Sequence, residues 1–173
     1  MTLDEAIKLG WGLLELDQPE LVDTGGIALK FIVMGGGTMK FYIVPQAEAI
    51  NSAAFKSKIA AQVKDDMKGK DVDAVLVVSD AWVSTASSRD TKTQERIRDL
   101  GLPRAHALGL CKKTEALICK VQVKHSIEDA MLTWHYERDI NDKITMGERE
   151  ERRGLPTPEG RFSGFFNEPE AHA

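Results

Sequence analysis

The first segment of the chain carries apolar residues at three- and four-residue steps, the spacing of one face of an α-helix. Thr2 and Glu5 also have the T-x-x-E spacing of a capping box, so we expect a helix to begin at once. Proline interrupts helical hydrogen bonding, and the segment 17–19 therefore predicts the end of this helix. The apolar stripe consists of Leu3, Ile7, Trp11 and Leu14.

Two alternating apolar segments follow, separated by Gly35-Gly36-Gly37. Alternation places every second side chain on one face, and glycines between two such segments are typical of a β-hairpin. A phosphate-binding glycine loop would instead open a helix. The alternating residues are Ile27, Leu29, Phe31 and Val33, then Met39, Phe41 and Ile43.

Further along, apolar residues four apart predict a second helix over 52–68, and residues 73–79 predict a strand that is apolar on both faces and therefore central. A short helix is predicted from Thr91 to Leu100, then a short edge strand in HALGLC and two alternating strands in EALICKVQVK and AMLTWHYER. The sum predicts an α+β fold: a single, mostly antiparallel sheet of about five strands with two helices packed on one face.

The composition changes near residue 147, where charged residues give way to glycine and proline. We therefore expect a single α+β domain over residues 1–146 and a charged, Gly/Pro-rich C-terminal tail or arm over 147–173. Three phenylalanines in this tail, Phe162, Phe165 and Phe166, would have to dock into an apolar groove if they are ordered. The sequence favours a groove on a neighbouring chain, because a swapped arm builds a symmetric dimer.

The composition limits the expected partners, cofactors and cellular location of the protein. The net charge of −4 argues against broad electrostatic capture of nucleic acid. No apolar segment is long enough to predict a membrane span, and the N-terminus is unlike a signal peptide. Both cysteines, Cys111 and Cys119, lie in apolar strand-like sequence and are expected to be reduced core thiols, which indicates a cytoplasmic protein. Their spacing matches no compact zinc motif, so no metal and no cofactor are expected.

One stretch resembles a known family. The valine-rich segment VLVVSDAWV ends in serine, an acidic residue, alanine and tryptophan, and is followed by a polar loop and KKTEALICKVQ. Over residues 73–123 this arrangement resembles a small bacterial α+β family of unknown function. The resemblance implies no activity.

Candidate binding residues occur at the predicted end of the central strand. Ser79, Asp80 and Trp82 lie there, and Arg89 follows in a hydroxyl-rich loop. Polar groups at strand ends are frequent binding sites. The structural alternative is that Asp80 caps a turn while Trp82 is buried at the edge of the core.

A second candidate surface is a lysine-bearing sheet face. Such a face suits an acidic protein or single-stranded nucleic acid, although a solvated sheet face has the same composition. Its expected members are Lys30, Lys40, Tyr42, Lys120, Gln122, Lys124 and His135.

The favoured hypothesis is a non-enzymatic binding or assembly module that acts as a homo-oligomer through its sheet or its tail. The alternative is a metal-dependent hydrolase or nuclease, in which Asp73 or Asp80 would act with Gln122 and Lys124, because Gln-x-Lys after an acidic strand is a nuclease pattern.

Overall fold

The structure is a computed structural model and describes residues 1–44, 53–87, 90–155 and 165–166. Six antiparallel strands form one sheet in the order β2-β1-β3-β4-β5-β6. The strands are β1 (Leu29–Gly35), β2 (Thr38–Val44), β3 (Ala74–Ala86), β4 (Cys111–Val123), β5 (Asp129–Arg138) and β6 (Ile144–Gly154). The helices are α1 (Leu3–Thr24), α2 (Ala53–Met67), α3 (Thr91–Leu100) and α4 (Leu102–Ala107).

The α+β class and the antiparallel sheet are confirmed, while the placement of both helices on one face is wrong. Helix α1 packs with Leu76 and Val78 of β3, and α2 packs with Val75 and Val77 of the same strand. Successive side chains of a strand point to opposite faces, so the two helices cover opposite sides of the sheet. We call these sides the α1 face and the α2 face. The double cover explains why β3 is apolar in every position from 74 to 78.

Helix α1 starts as expected, with the capping box of Thr2 and Glu5 formed, but it does not end at Pro19. It continues through the proline to Thr24 because Leu21 is fully buried and Lys30 binds Asp17 of the same turn at 2.5 Å. Gly25, in the left-handed conformation at φ 80°, then ends the helix. Tertiary contacts therefore outweigh the local cost of proline.

The last two corrections concern strands. HALGLC is not an edge strand: its first residues end α4, where Pro103 suits the first helical turn, and β4 begins at Cys111. Strand β6 crosses the predicted domain boundary at residue 146 and includes the charged segment 147–154. A strand at the edge of a sheet tolerates charge on both faces, which is why its composition resembles that of a tail.

Candidate functional site

The residues predicted at a strand end lie inside a strand. Ser79, Asp80 and Trp82 are in the middle of β3, which pairs with β4 as far as Ala86. Asp80 lies opposite Leu117 of the α1-face core, so its side chain is on the α1 face. Ser79 is on the other face by alternation. The strand therefore separates two residues that the sequence suggested as one site.

Asp80 is partly buried near the turn that follows α1. Burial raises the pKa of its carboxyl group, and hydrogen bonds from the backbone N–H groups of Asp80 and Ile27 oppose that rise. Arg138 lies nearby, but its Nε donates to both carboxylate oxygens of Glu115, at 3.0 and 3.1 Å. Among the described residues, Asp80 therefore has no close ion pair to oppose the effect of burial on its pKa.

The structural alternative, in which Trp82 is buried at the edge of the core, is wrong, because 68% of its surface is exposed. It lies opposite Glu115 on the α1 face. The exposed indole is a surface available for contact with another molecule.

The second group of predicted residues is on the α2 face and forms a compact polar cluster. Gln122 is 3% exposed, and its Nε2 donates to Asp129 Oδ2 at 2.5 Å. Lys120 Nζ lies 3.9 Å from the same carboxylate, and burial lowers the pKa of its ammonium group. The side-chain amide oxygen of Gln122, Oε1, accepts a hydrogen bond from the backbone N–H of Phe165 at 3.4 Å. This cluster ties the C-terminal segment to the sheet.

The predicted lysine face is divided and largely neutralised. Lys30 is on the α1 face, opposite Val78, and binds Asp17. On the other side, Lys40 lies 3.3 Å from Asp66, and Lys124 lies 3.7 Å from Asp71. Because each of these lysines has a carboxylate neighbour, the predicted lysine face carries less net positive charge than its composition indicates.

His135 lines a pocket of about 330 Å³ at the point where the pairing of β5 and β6 shifts register. Its Nδ1 lies 3.3 Å from the Thr114 hydroxyl, and its Nε2 lies 3.9 Å from Glu150. Bulges next to pockets are common at binding sites. Ser79 is on the same face of the sheet, but β4 lies between its strand and that of His135, and Ser79 does not line this pocket.

The residues of the nuclease alternative are not all brought together. Asp80 is on the α1 face, while Gln122, opposite Val75, is on the α2 face. Asp73 does lie next to Lys124, whose backbone N–H donates to its carbonyl oxygen at 2.8 Å. Within the described residues, no group of three or more histidine, cysteine or acidic side chains could hold a metal ion. Arg89 and Phe162 lie outside the described residues.

Phe165 lies in an apolar groove of its own chain. It is 7% exposed and meets Phe31 edge to face, with ring centroids 6.1 Å apart. Lys64 lies over the same ring at 5.3 Å, and Phe166 packs partly against the same core. The sequence favoured a groove on a neighbouring chain, whereas here the docking is intramolecular.

Strand β2 was predicted as part of the hairpin but not as a candidate site, although it carries an exposed apolar stripe. Met39, Phe41 and Ile43 are 45%, 49% and 60% exposed. They share the α1 face, because their partners Met34 and Ile32 belong to the α1-face core. We call these three residues the β2 stripe.

The backbone of β2 is also oriented for further pairing. Gly36 and Gly37 have φ values of 55° and 72°, which define a tight type I′ turn that closes on the pair Gly35–Thr38. Hydrogen-bonded and non-hydrogen-bonded pairs alternate along an antiparallel ladder. Residues 39, 41 and 43 therefore direct their backbone N–H and C=O groups outward, and β2 is the last strand of the sheet that the described residues form.

Comparisons with protein-family models, curated proteins and solved structures found no match to this chain. The similarity of residues 73–123 to a small bacterial family therefore stays a prediction. No helix in the described part of the chain is long and apolar enough to cross a membrane.

Proposed function

We propose that the protein is an assembly module that forms a homodimer by pairing β2 with β2 of a second copy. The observation that carries this proposal is the β2 stripe, which exposes three large apolar side chains on a strand with outward-directed backbone groups. An edge strand of this kind is a template for another strand, and proteins that stay monomeric usually protect it with charge, proline or a cover.

The β2 stripe is complementary to itself. A two-fold axis through Phe41 would pair Phe41 with its own copy and Met39 with Ile43 of the second chain. All three contacts are apolar and on one face, and all fall at positions whose backbone groups point outward. Such an isologous contact closes after two copies, so it gives a dimer rather than a filament.

The other face of β2 does not oppose this pairing. Lysine is a residue type that often protects an edge strand, but the side chain of Lys40 is engaged within its own chain. Its Nζ lies 4.5 Å from the Tyr42 ring centroid and 3.3 Å from Asp66. In the proposed register Lys40 lies beside Tyr42 of the second copy, where a further cation–π contact is available.

Buried free thiols at Cys111 and Cys119 support the expected cytoplasmic location of this dimer, because thiols stay reduced there.

The test is the molar mass in solution, measured by light scattering across a range of concentrations. The wild type should have twice the chain mass of 19.1 kDa, and Phe41→Lys should have the mass of a single chain. The matched control is Ile140→Lys, because Ile140 is fully exposed in the turn between β5 and β6. A wild-type protein that is monomeric throughout, or a Phe41→Lys variant that stays dimeric, would contradict the proposal.

A further inference from the structure

A serine and a histidine that the assembly function does not use form a close pair beside Trp82. Ser84 Oγ, on β3, lies 2.9 Å from Nε2 of His106, on α4. Ser84 and Trp82 are two residues apart on one strand, so their side chains share the α1 face at a separation of about 7 Å. Both partners of the pair are half-buried, while the indole is exposed.

The second ring nitrogen of His106 determines which way the proton lies. Nδ1 is 3.1 Å from the backbone carbonyl oxygen of Cys111. A carbonyl oxygen only accepts hydrogen bonds, so Nδ1 of the neutral ring carries the proton. Nε2 is then the basic nitrogen, and the hydroxyl of Ser84 donates to it. The ring is therefore held in the tautomer that a general base needs.

We propose that Ser84 is a nucleophile activated by His106, and that the pair transfers acyl groups from small esters. A nucleophile, a base within hydrogen-bond reach and a third group that orients the base are the parts that such catalysis requires. Here the third group is a carbonyl instead of a carboxylate. Trp82 supplies an apolar surface that favours esters with an aromatic or apolar group. This inference goes beyond the assembly function and revises the expectation that the protein is non-enzymatic.

The proposed reaction balances without any co-reactant other than water. His106 Nε2 takes the Ser84 proton while Oγ bonds to the ester carbonyl carbon, and the departing alkoxide receives that proton from His106. Water then adds to the acyl-serine and gives a proton to His106. The bond from Oγ to the acyl carbon breaks, the proton returns to Ser84, and a carboxylic acid leaves. Lys113 lies directly opposite Ser84 in the ladder, where its positive charge suits the developing oxyanion.

The same geometry also describes a brace that holds α4 against the sheet, so the test must report reactivity. Full-length protein is incubated with a fluorophosphonate, which loses fluoride when a serine oxygen bonds to phosphorus. We expect one adduct, mapped to Ser84 by peptide mass. No adduct should form in Ser84→Ala, and labelling of His106→Gln should be slower by about 100-fold or more. Ser87→Ala is the matched control, because Ser87 is in the same segment and its hydroxyl donates to the backbone carbonyl oxygen of Gly109.

A wild-type protein that gives no adduct would overturn the proposal, as would labelling that persists in Ser84→Ala or at full rate in His106→Gln. Circular dichroism shows whether each variant folds. If His106→Gln does not fold, the wild type is compared with itself in urea, where Ser84 must lose its reactivity. Equal labelling of the folded and unfolded chain would also refute the activated pair. A second assay with p-nitrophenyl acetate should show turnover that depends on Ser84.

Discussion

The two edges of the sheet differ sharply in composition. Strand β2 exposes an apolar stripe, while β6, at the other end, carries six charged residues in succession from 148 to 153. On β6 several of these charges are paired: Arg152 with Glu150 at 2.9 Å, and Arg153 with both Glu151 and Asp4, at 2.7 and 2.8 Å. A strand approaching β6 would have to desolvate this array, whereas one approaching β2 would meet apolar groups.

The difference indicates that the two edges have separate roles. Exposed ion pairs add little to stability individually. Their consistent presence on β6 fits protection of an edge better than stabilisation of the fold. The same protection is absent from the β2 stripe, and evenly hydrophobic edge strands are a hazard unless they are paired. The charges of β6 disfavour association at one edge of the sheet, and the proposed dimer uses the other edge.

The largest effect should come from making β6 resemble β2. Replacing Glu150 and Arg152 with valine removes charge from one face of β6. Molecules with two associating edges form open chains, so light scattering should show a mass above that of a dimer that increases with concentration. Adding Phe41→Lys should stop this growth. Growth that continues in the presence of Phe41→Lys would show that β2 is not one of the contacts.

Truncating Phe165 tests whether the stability of the α2-face core is independent of association through β2. Phe165→Ala removes a ring packed against Phe31 and should lower the free energy of unfolding by about 3–5 kcal/mol. Phe166→Ala, at the half-buried neighbour, should cost less. Urea titration measures both. The dimer mass should not change while the protein stays folded, because the docking is within one chain. A monomeric Phe165→Ala variant would instead support docking of this segment on a neighbouring chain.

Arg149 connects β6 to β5 and α1. The guanidinium of Arg149 lies 3.9 Å from the Trp134 ring centroid and 5.4 Å from that of Trp11, and binds Glu15 at 2.8 Å. Arg149→Ala should lower the free energy of unfolding by about 1–2 kcal/mol. Arg149→Lys should recover only part of this loss, because an ammonium group cannot stack flat on both rings. Full recovery by lysine would show that charge alone matters there.

The smallest expected effect is on the pH dependence of stability, to which the partly buried Asp80 and Asp66, beside β2, should contribute with opposite signs. Burial raises the folded-state pKa of Asp80, so its contribution to stability is present below its unfolded-state value and is lost as pH rises. Hydrogen bonds from Tyr42 and Lys40 lower the pKa of Asp66, so its contribution is present above the unfolded-state value and is lost as pH falls. From about pH 3 to 7, Asp80→Asn should gain stability relative to wild type, and Asp66→Asn should lose it. Thermal or urea unfolding of the three proteins over this range measures both trends, and parallel trends would contradict these environments.

Much of the fold could be predicted because it depends on local pattern. The alternation around Gly35–Gly37 predicted the β1–β2 hairpin, and the apolar run at 73–79 predicted a central strand; both are present. Pro19 was misleading, because the burial of Leu21 and the ion pair of Asp17 come from residues distant in the sequence. The charges of β6 were taken for a tail for the same reason: only pairing with β5 identifies them as an edge strand.

The candidate sites were harder to predict, because each depends on which strands are neighbours. Met39, Phe41 and Ile43 were recognised as one face of a strand, but their exposure follows from the position of β2 at the end of the sheet. Ser84 and His106 are 22 residues apart, and no local motif connects them. The structural alternative placed Trp82 at the edge of the core, because a large aromatic side chain is stabilised by burial. Trp82 lies beyond Val78, the last residue of β3 in the α1-face core, and its indole is exposed to solvent.

The most direct test of β2 pairing is amide hydrogen exchange, measured residue by residue by NMR. Amides of Lys40 and Tyr42 point toward β1 and should be protected in any state. At high protein concentration we expect the amides of Met39, Phe41 and Ile43 to be protected as well, and this second set of protections should disappear in Phe41→Lys. The outward amides of β6 provide an internal reference that should exchange rapidly throughout. Rapid exchange at residues 39, 41 and 43 at every concentration would show that β2 remains an open edge, and would contradict the proposed assembly.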